Sequence, residues 1–434
     1  MSSHAEHHGK GRSLVALDAL NVFMADVRDG LGPFLAIYLA AAQHWDAGRI
    51  GIAMSVQGFA TVAAQTPAGG LIDRIHAKRA AVALAALAVA LGVVAMAWWP
   101  TLPAIIAAQA VIGASSAIFA PAVSAISLGL VGHGRLPRRM GRNEAFNHAG
   151  NVTAALLAGW VGDHVAKVGV FYLVAAMSAA TVATTLLIRR GDIDYALARG
   201  AVPDGGNGAS FRIASIGALL RDRRIAAFIL AVSLFHFANA AMLPLVGQKL
   251  TDGKTRGVAS DMAACIIAAQ VVMVPVALAS SRLIESWGRK PVFLIGFAVL
   301  PIRGLLYTLG THPYFLVAVQ LLDGIGAGVF GVVGVLVIAD LTKGTGRFNL
   351  MQGVLATAVG IGASLSNLMT GFVVRARGFD AGFFALSAIA ALALLFSWWA
   401  VPETGGVSRC EPSACRPEEP GTARGLAREI ISAP

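Results

Sequence analysis

Ionisable residues stand in this chain where an apolar helix should not carry them. Asp26-Val27-Arg28-Asp29-Gly30-Leu31-Gly32-Pro33 sets three charges in four residues inside a largely apolar run from about residue 14 to residue 41. Counted at 1.5 Å per residue, Asp26 lies roughly 18 Å deep, near the middle of a hydrocarbon layer about 30 Å thick. An ionisable side chain there costs at least about 2.5–3.5 kcal/mol on insertion scales, so each needs a partner or a task. Asp26, Asp29 and Pro33 fall on one helical face at i, i+3, i+7, Arg28 points well away from Asp26, and the glycines with Pro33 allow a bend. The same depth count brings in His236, Asn239, Arg303, Gln320 and Asp323 from later runs. Arg303 is expected to pair structurally with an acid such as Asp323. Glu144, Asn147, His148 and Asn151 form a stripe at i, i+3, i+4, i+7 at the start of another run. Burial can move a carboxylate or an imidazole towards working pH, which suits Glu144 and His148 to proton relay. A polar seam hydrogen-bonded to a neighbouring helix is an equally good reading of the stripe.

These residues are positioned by membrane helices. Hydrophobic residues make up 56% of the 434 and charged ones 13%, about half the share in a soluble chain, which excludes a water-soluble fold. Twelve spans are expected, at 14–41, 50–72, 80–99, 101–131, 144–166, 168–189, 223–247, 259–284, 290–309, 312–340, 348–373 and 380–401. The fold class is therefore all-α integral membrane. The domain reading is a cytoplasmic tail at 1–13, a six-helix bundle at 14–190, a linker at 191–222, a second six-helix bundle at 223–401 and a second tail at 402–434. The linker contains Pro203-Asp204-Gly205-Gly206-Asn207-Gly208 and has no apolar period.

The formal charge of +11 sits in short loops and not on an aromatic-interleaved face, so nucleic acid is not the expected partner. With alternating spans, nineteen Lys and Arg residues fall in loops on the side of the termini and seven on the other. The positive-inside rule then puts both termini in the cytoplasm. The first thirteen residues lack the layout of a cleavable signal, and His4, His7 and His8 read as a solvated tail and not as a metal site. Cys265 lies in an apolar run, whereas Cys410 and Cys415 lie in a tail facing reducing cytoplasm, which argues against a structural disulfide. No metal and no cofactor is expected.

The two halves echo one another. Gln109 and Gly113 recur as Gln320 and Gly324, and Pro33 as Pro244, each 211 residues later; Gly141-Arg142 recurs as Gly346-Arg347 after 205. Gly69-Gly70-Leu71-Ile72-Asp73-Arg74, running on to Lys78-Arg79, has its counterpart 212 residues later in Ser281-Arg282-Leu283-Ile284-Glu285, running on to Gly288-Arg289-Lys290. Matches in one order indicate an internal repeat.

That loop, with its glycine, leucine, acid and base, resembles the signature loop of the major facilitator superfamily. Gly69, Leu71, Asp73, Arg74 and Lys78 match it, His76 and Ala77 depart from it, and the second copy keeps Gly288, Arg289 and Lys290 with Glu285 for the aspartate. The ending Val401-Pro402-Glu403-Thr404 is similar too. The resemblance spans about residues 14 to 404 and implies two pseudo-symmetric six-helix bundles, a monomer, and spans one, four, seven and ten lining a central cavity. On that basis Asp26, Arg28, Asp29, Gln109, His236, Asn239, Gln320 and Asp323, with the Glu144, Asn147, His148 and Asn151 stripe, are the expected substrate or coupling residues. Gly69, Asp73, Arg74, Lys78, Glu285, Gly288 and Arg289 are the expected cytoplasmic latch. Asp73 would accept from the start of a neighbouring helix.

Two departures weaken a drug/proton antiporter reading. Gln109 stands where proton-coupled drug exporters carry an arginine, and Gly150-Asn151-Val152-Thr153 replaces their Gly-Pro-rich signature. No Gly-rich phosphate loop, H-E-x-x-H or G-x-S-x-G occurs. The expectation is therefore no enzyme, but a secondary transporter of a small polar or charged solute in a bacterial cytoplasmic membrane, coupled to protons, with efflux slightly favoured. Uptake of an organic acid, amino acid or metal chelate, and a transporter-like sensor or scaffold, are the alternatives.

Overall fold

A computed structural model of the chain describes residues 2–29, 31–199, 221–251, 257–342 and 348–404. Among them are fourteen α-helices: α1 (Ser2–Asp29), α2 (Gly32–Ala41), α3 (Ala47–Arg74), α4 (Lys78–Trp98), α5 (Leu102–Val131), α6 (Leu136–His164), α7 (Gly169–Leu187), α8 (Arg223–Asn239), α9 (Met242–Thr251), α10 (Val258–Trp287), α11 (Arg289–Leu306), α12 (Pro313–Leu341), α13 (Phe348–Arg377) and α14 (Phe379–Ala400). They make twelve membrane spans, because α1 with α2 and α8 with α9 are each one interrupted span. Eight spans are long and apolar enough to cross a membrane by length and composition alone. The other four (α1 with α2, α3, α6 and α11) are those into which polar residues or charged ends have been built. Exposed Trp98 and Trp99 end α4, and exposed Trp398 and Trp399 end α14 at the opposite membrane face, as interfacial aromatics do.

Several expected boundaries move. The first helix begins at Ser2, so the polar residues expected to form a separate tail continue α1. The fifth span begins at Leu136, which brings Arg138, Arg139 and Arg142 into the helix instead of a loop. Asp26 and Asp29 share α1, but Pro33 does not continue their face. The helix stops at Asp29, Gly32 takes φ +45° and Pro33 opens α2, as a residue without its own N–H can. The start of the expected linker is docked on the first half: Ile193 and Ala198 are buried, and Asp194 N donates to Gly129 O at 3.0 Å. Residues 200–220 lie outside the described residues, as do Gly346, Arg347, Cys410 and Cys415.

The repeat is physical. In the first half α1 packs on α6 and α7, α3 and α4 on α5, and α4 on α7; in the second, α8 packs on α13 and α14, α10 and α11 on α12, and α11 on α14. Gly113 and Gly324 hold the same place in each. A methyl group at Gly113 would lie 2.2 Å from Gln57 O on α3, and one at Gly324 would lie 2.4 Å from Ala269 O on α10. Only glycine permits that approach. The two span interruptions are mended alike, by a hydroxyl from a neighbouring helix: Ser116 Oγ donates to Arg28 O at 2.8 Å, and Ala241 N donates to Ser366 Oγ at 3.0 Å.

The halves meet along α3 with α13, α6 with α10 and α2 with α9. The contact is tight from mid-membrane to the end carrying the α2–α3 and α9–α10 connections. A methyl at Gly51 would lie 2.5 Å from Asn367 O, one at Gly58 would lie 2.2 Å from Ser364 Oγ, and one at Gly159 would lie 2.8 Å from Ala263 Cβ. At the opposite end, which carries the N-terminus and the end of α14, Gly69, Gly70 and Gly353 have nothing within 4 Å of such a methyl. The molecule is closed at one end, called outer below, and splayed at the other.

Candidate substrate site and gates

A polar cluster forms in the second half where α8, α11 and α12 converge. Arg303 is 1% exposed, and its guanidinium pairs with Asp323 and donates to Asn239 Oδ1. Gln320 Nε2 donates to Asp323 Oδ2 at 2.9 Å, while Tyr307 Oη donates to Gln320 Oε1. A guanidinium in hydrocarbon is tolerated because its N–H groups find acceptors in Asp323, Asn239 and the Met242 thioether. His236 lies one helical turn before Asn239. Its ring meets Phe330 edge-on at 4.8 Å and Phe235 at 5.3 Å, and its Nε2 is buried with no hydrogen bond among the described residues. Asn239 and Asp323 are only half-buried, so the cluster presents an amide and a carboxylate edge at mid-depth, held from behind by Arg303.

In the first half Asp26 is half-buried and engaged with another residue, and Arg28 is exposed. The Asp29 side chain lies outside the described residues. Gln109 does not line a cavity: it is 1% exposed, and its Nε2 donates to Ala53 O on α3 at 3.3 Å. Its repeat partner Gln320 is likewise fully buried. Counting depth along a helix says nothing of which way a residue faces, and both glutamines face seams. Of the α6 stripe, Glu144 is exposed and Asn147, His148 and Asn151 are half-buried. His148 Nδ1 lies 3.1 Å from Gln270 Oε1 on α10, so the imidazole donates across the seam between the halves.

The expected latch is undone here. Asp73, Arg74 and Glu285 are exposed, and none takes a hydrogen bond or ion pair among the described residues. Lys78 is fully buried and donates to Ile72 O in the last turn of α3. Gly288, at φ +88°, leaves room for the Glu403 carboxylate, which accepts from Arg289 N and Lys290 N at 2.9 Å each. The Arg289 side chain pairs with Asp340 on α12. The second loop is thus fastened within its own half, by the acid of the Val401-Pro402-Glu403-Thr404 ending.

The sequence profile of the Major Facilitator Superfamily matches residues 17–284 and 255–427. Two strains of Mycobacterium tuberculosis, CDC 1551 / Oshkosh and H37Rv, each have an MFS-type transporter 50% identical to this chain over 391 residues, 90% of this chain and 93% of theirs. The chain belongs to the major facilitator superfamily. A 182-residue stretch, 41% of this chain, is 25% identical to part of Multidrug resistance protein 2 of Bacillus subtilis (strain 168), 43% of which is covered. Among solved structures, a mutant of the nucleoside transporter NupG has a TM-score of 0.77 at 16% identity, covering 89% of this chain and 99% of that one. The peptide transporter POT in complex with sulfate has a TM-score of 0.72 at 15% identity, covering 89% and 94%. At such identities the likeness is one of fold. Major facilitator proteins are transporters and not enzymes.

This superfamily member also holds polar residues that depth counting passed over. Asp18, 6% exposed, takes Arg139 Nη2 at 2.6 Å and Arg142 Nη2 at 2.7 Å. Arg139 Nε donates to Asn143 Oδ1 at 2.7 Å, which also receives Asn21 Nδ2 at 3.2 Å, and Asn143 Nδ2 donates to Ser127 Oγ at 2.9 Å. The network ties α1, α5 and α6 together at the splayed end. Its signal was an aspartate one turn inside an apolar run and a basic series read only as topology.

Proposed function

We propose that this chain is a secondary transporter that moves a small polar or charged solute across a bacterial cytoplasmic membrane by alternating access, coupled to protons and working as a monomer. One observation carries the reading: two repeated bundles touch from mid-membrane to one end and part at the other, with the Asn239, Asp323 and Arg303 cluster at the depth where they part. A binding group at that depth reaches one aqueous side at a time. The charge distribution supports placing the splayed end and both termini in the cytoplasm. Proton coupling rests on Asp26 and Asp29 as the main acids and on His148 with Glu144 as the relay, the imidazole being poised on the seam that must open. Efflux is the favoured direction, supported by the partial likeness to a multidrug resistance protein. Gln109 in place of the exporters' arginine keeps uptake of an organic acid, amino acid or chelate as the second reading.

The test begins with a thermal-shift screen of the purified chain against organic acids, amino acids, cations and chelates. Any stabilising solute then goes into counterflow exchange in proteoliposomes. Exchange of labelled for unlabelled solute is the expected result; stabilisation without exchange would make the chain a sensor.

A further inference from the structure

The outer end carries a bond between the halves that nothing in the signature loops announces. Asp163, near the end of α6 in the first half, points its carboxylate at the first turn of α10 in the second. Its Oδ2 accepts from Ser260 N at 2.8 Å and its Oδ1 from Ala259 N at 3.2 Å. The first N–H groups of a helix have no partner within it and carry the positive end of the helix dipole. Two other helices are capped by their own N-cap side chain, Asp46 on α3 and Asp222 on α8, and α11 takes Glu403 from its own half of the molecule. At α10 the N-cap residue is Gly257, which supplies no side-chain cap. The helix takes its cap from the other half of the molecule.

Small residues make this reach possible. A methyl at Gly162 would lie 2.6 Å from Ala259 Cβ, and one at Gly159 would lie 3.2 Å from Ala259 O, so α6 and α10 touch just below the carboxylate. If the outer ends separate by a few ångströms, both hydrogen bonds are lost together. The α3 and α13 seam has a charge pair at the same end, Asp46 with Arg375 at 3.6 Å, but both side chains are well exposed and such pairs contribute little.

We infer that Asp163 is an outer latch: a trans-acting cap on α10 that stabilises the outer-closed state and is absent from the outer-open one. It rests on the alternating-access reading above. Asp73 stands free at the splayed end while Asp163 is engaged at the closed end, so the two acids are placed to alternate.

The test uses the full chain with Cys265, Cys410 and Cys415 replaced, spin labels at Ala42→Cys and Ala376→Cys across the outer end, and a second pair at Arg138→Cys and Arg282→Cys across the inner end. Pulsed electron–electron resonance reads both distances. Asp163→Ala should raise the ratio of outer-open to outer-closed molecules about three- to tenfold, the scale of a charge at a helix N-terminus, with the inner pair closing in step. Asp163→Asn, which keeps an acceptor without the charge, should fall between. Distances in Asp163→Ala identical to those without the substitution, or both pairs broadening together as in a loosened fold, would overturn the latch. If the parent chain itself holds a single pair of distances from pH 5 to 8 and with the stabilising solute, the alternating-access reading fails first. Distances that move in the parent but ignore Asp163 remove the latch alone.

Discussion

Each half of the molecule buries an arginine against an aspartate, at different depths and with different company. In the first half Asp18 sits near the splayed mouth and shares two arginines, of which Arg142 is 59% exposed and open to water. In the second half Arg303 is sealed at mid-depth, and Asp323 remains 22% exposed. The first arrangement fastens α1 to α6 beside an aqueous end, where a loosened charge can be hydrated. The second holds a mostly buried carboxylate at mid-depth, where the guanidinium that faces it is sealed from water. Repeated folds can therefore carry unequal chemistry: the glycines that set helix spacing are duplicated, and the ion pairs are not.

The sharpest way to break this contrast is to remove one partner from the sealed pair. Arg303→Leu leaves Asp323 without its counter-charge, held only by Gln320, and Asn239 Oδ1 without its donor, and should cost about 3–5 kcal/mol, read as loss of folded yield and a large fall in Tm. The double variant Arg303→Leu with Asp323→Leu should recover much of that stability and no transport. Equal losses in both would mean that the pair serves only packing.

The duplicated glycines should behave as duplicates. Gly113→Ala and Gly324→Ala each drive a methyl into a carbonyl oxygen of the adjacent helix and should cost about 1–3 kcal/mol apiece by overpacking. Thermal unfolding of the two variants side by side checks this, and a large effect at one site with none at the other would break the structural repeat.

At the splayed mouth the effect should be smaller. Asp18→Asn leaves Arg139 with Asn143 and frees Arg142 to water, so about 1–2 kcal/mol is expected, in the range for an under-satisfied buried donor. A loss as large as that of Arg303→Leu would show that depth does not separate the two networks.

What was legible in the sequence follows from this contrast. Spacing along the chain gave twelve spans, the twofold loop and the matched Gly113 and Gly324, because membrane thickness and helix contact leave marks at fixed intervals. The partnership of Arg303 with Asp323 could be read as well, since two mid-depth charges of opposite sign in one half have few other options. Direction around a helix left a weaker mark: Gln109 and Gln320 were expected in a cavity and face seams. Partners far apart in sequence left none. Asp18 finds Arg139 across 121 residues and Asp163 finds Ser260 across 97; the apolar run around Asp18 marked it as in need of a partner without naming one, and Asp163 looks like any charge at a helix end.

The smallest expected effects on stability are on the two residues that concern motion. A His148→Gln variant, which keeps an N–H donor for Gln270, should unfold within about 1 kcal/mol of the parent, the scale of one hydrogen bond, yet lose gradient-driven flux while keeping exchange of labelled solute. Loss of both together would make the bond to Gln270 a packing contact. Asp73→Asn should likewise leave stability and ligand binding unchanged and slow transport, because the residue is exposed here and needed only when the splayed end closes. Transport at the parent rate would leave Asp73 as a loop charge.

The most direct test of the whole account is proton movement itself. Proteoliposomes holding a pH-sensitive dye and a gradient of the solute found by thermal shift should acidify or alkalinise in proportion to solute flux. Asp26→Asn, at nearly constant volume, should abolish that signal while still binding the solute. Solute flux with no pH change, or an unaltered signal in Asp26→Asn, Asp29→Asn and Arg28→Gln alike, would contradict proton coupling through the charged segment of the first span.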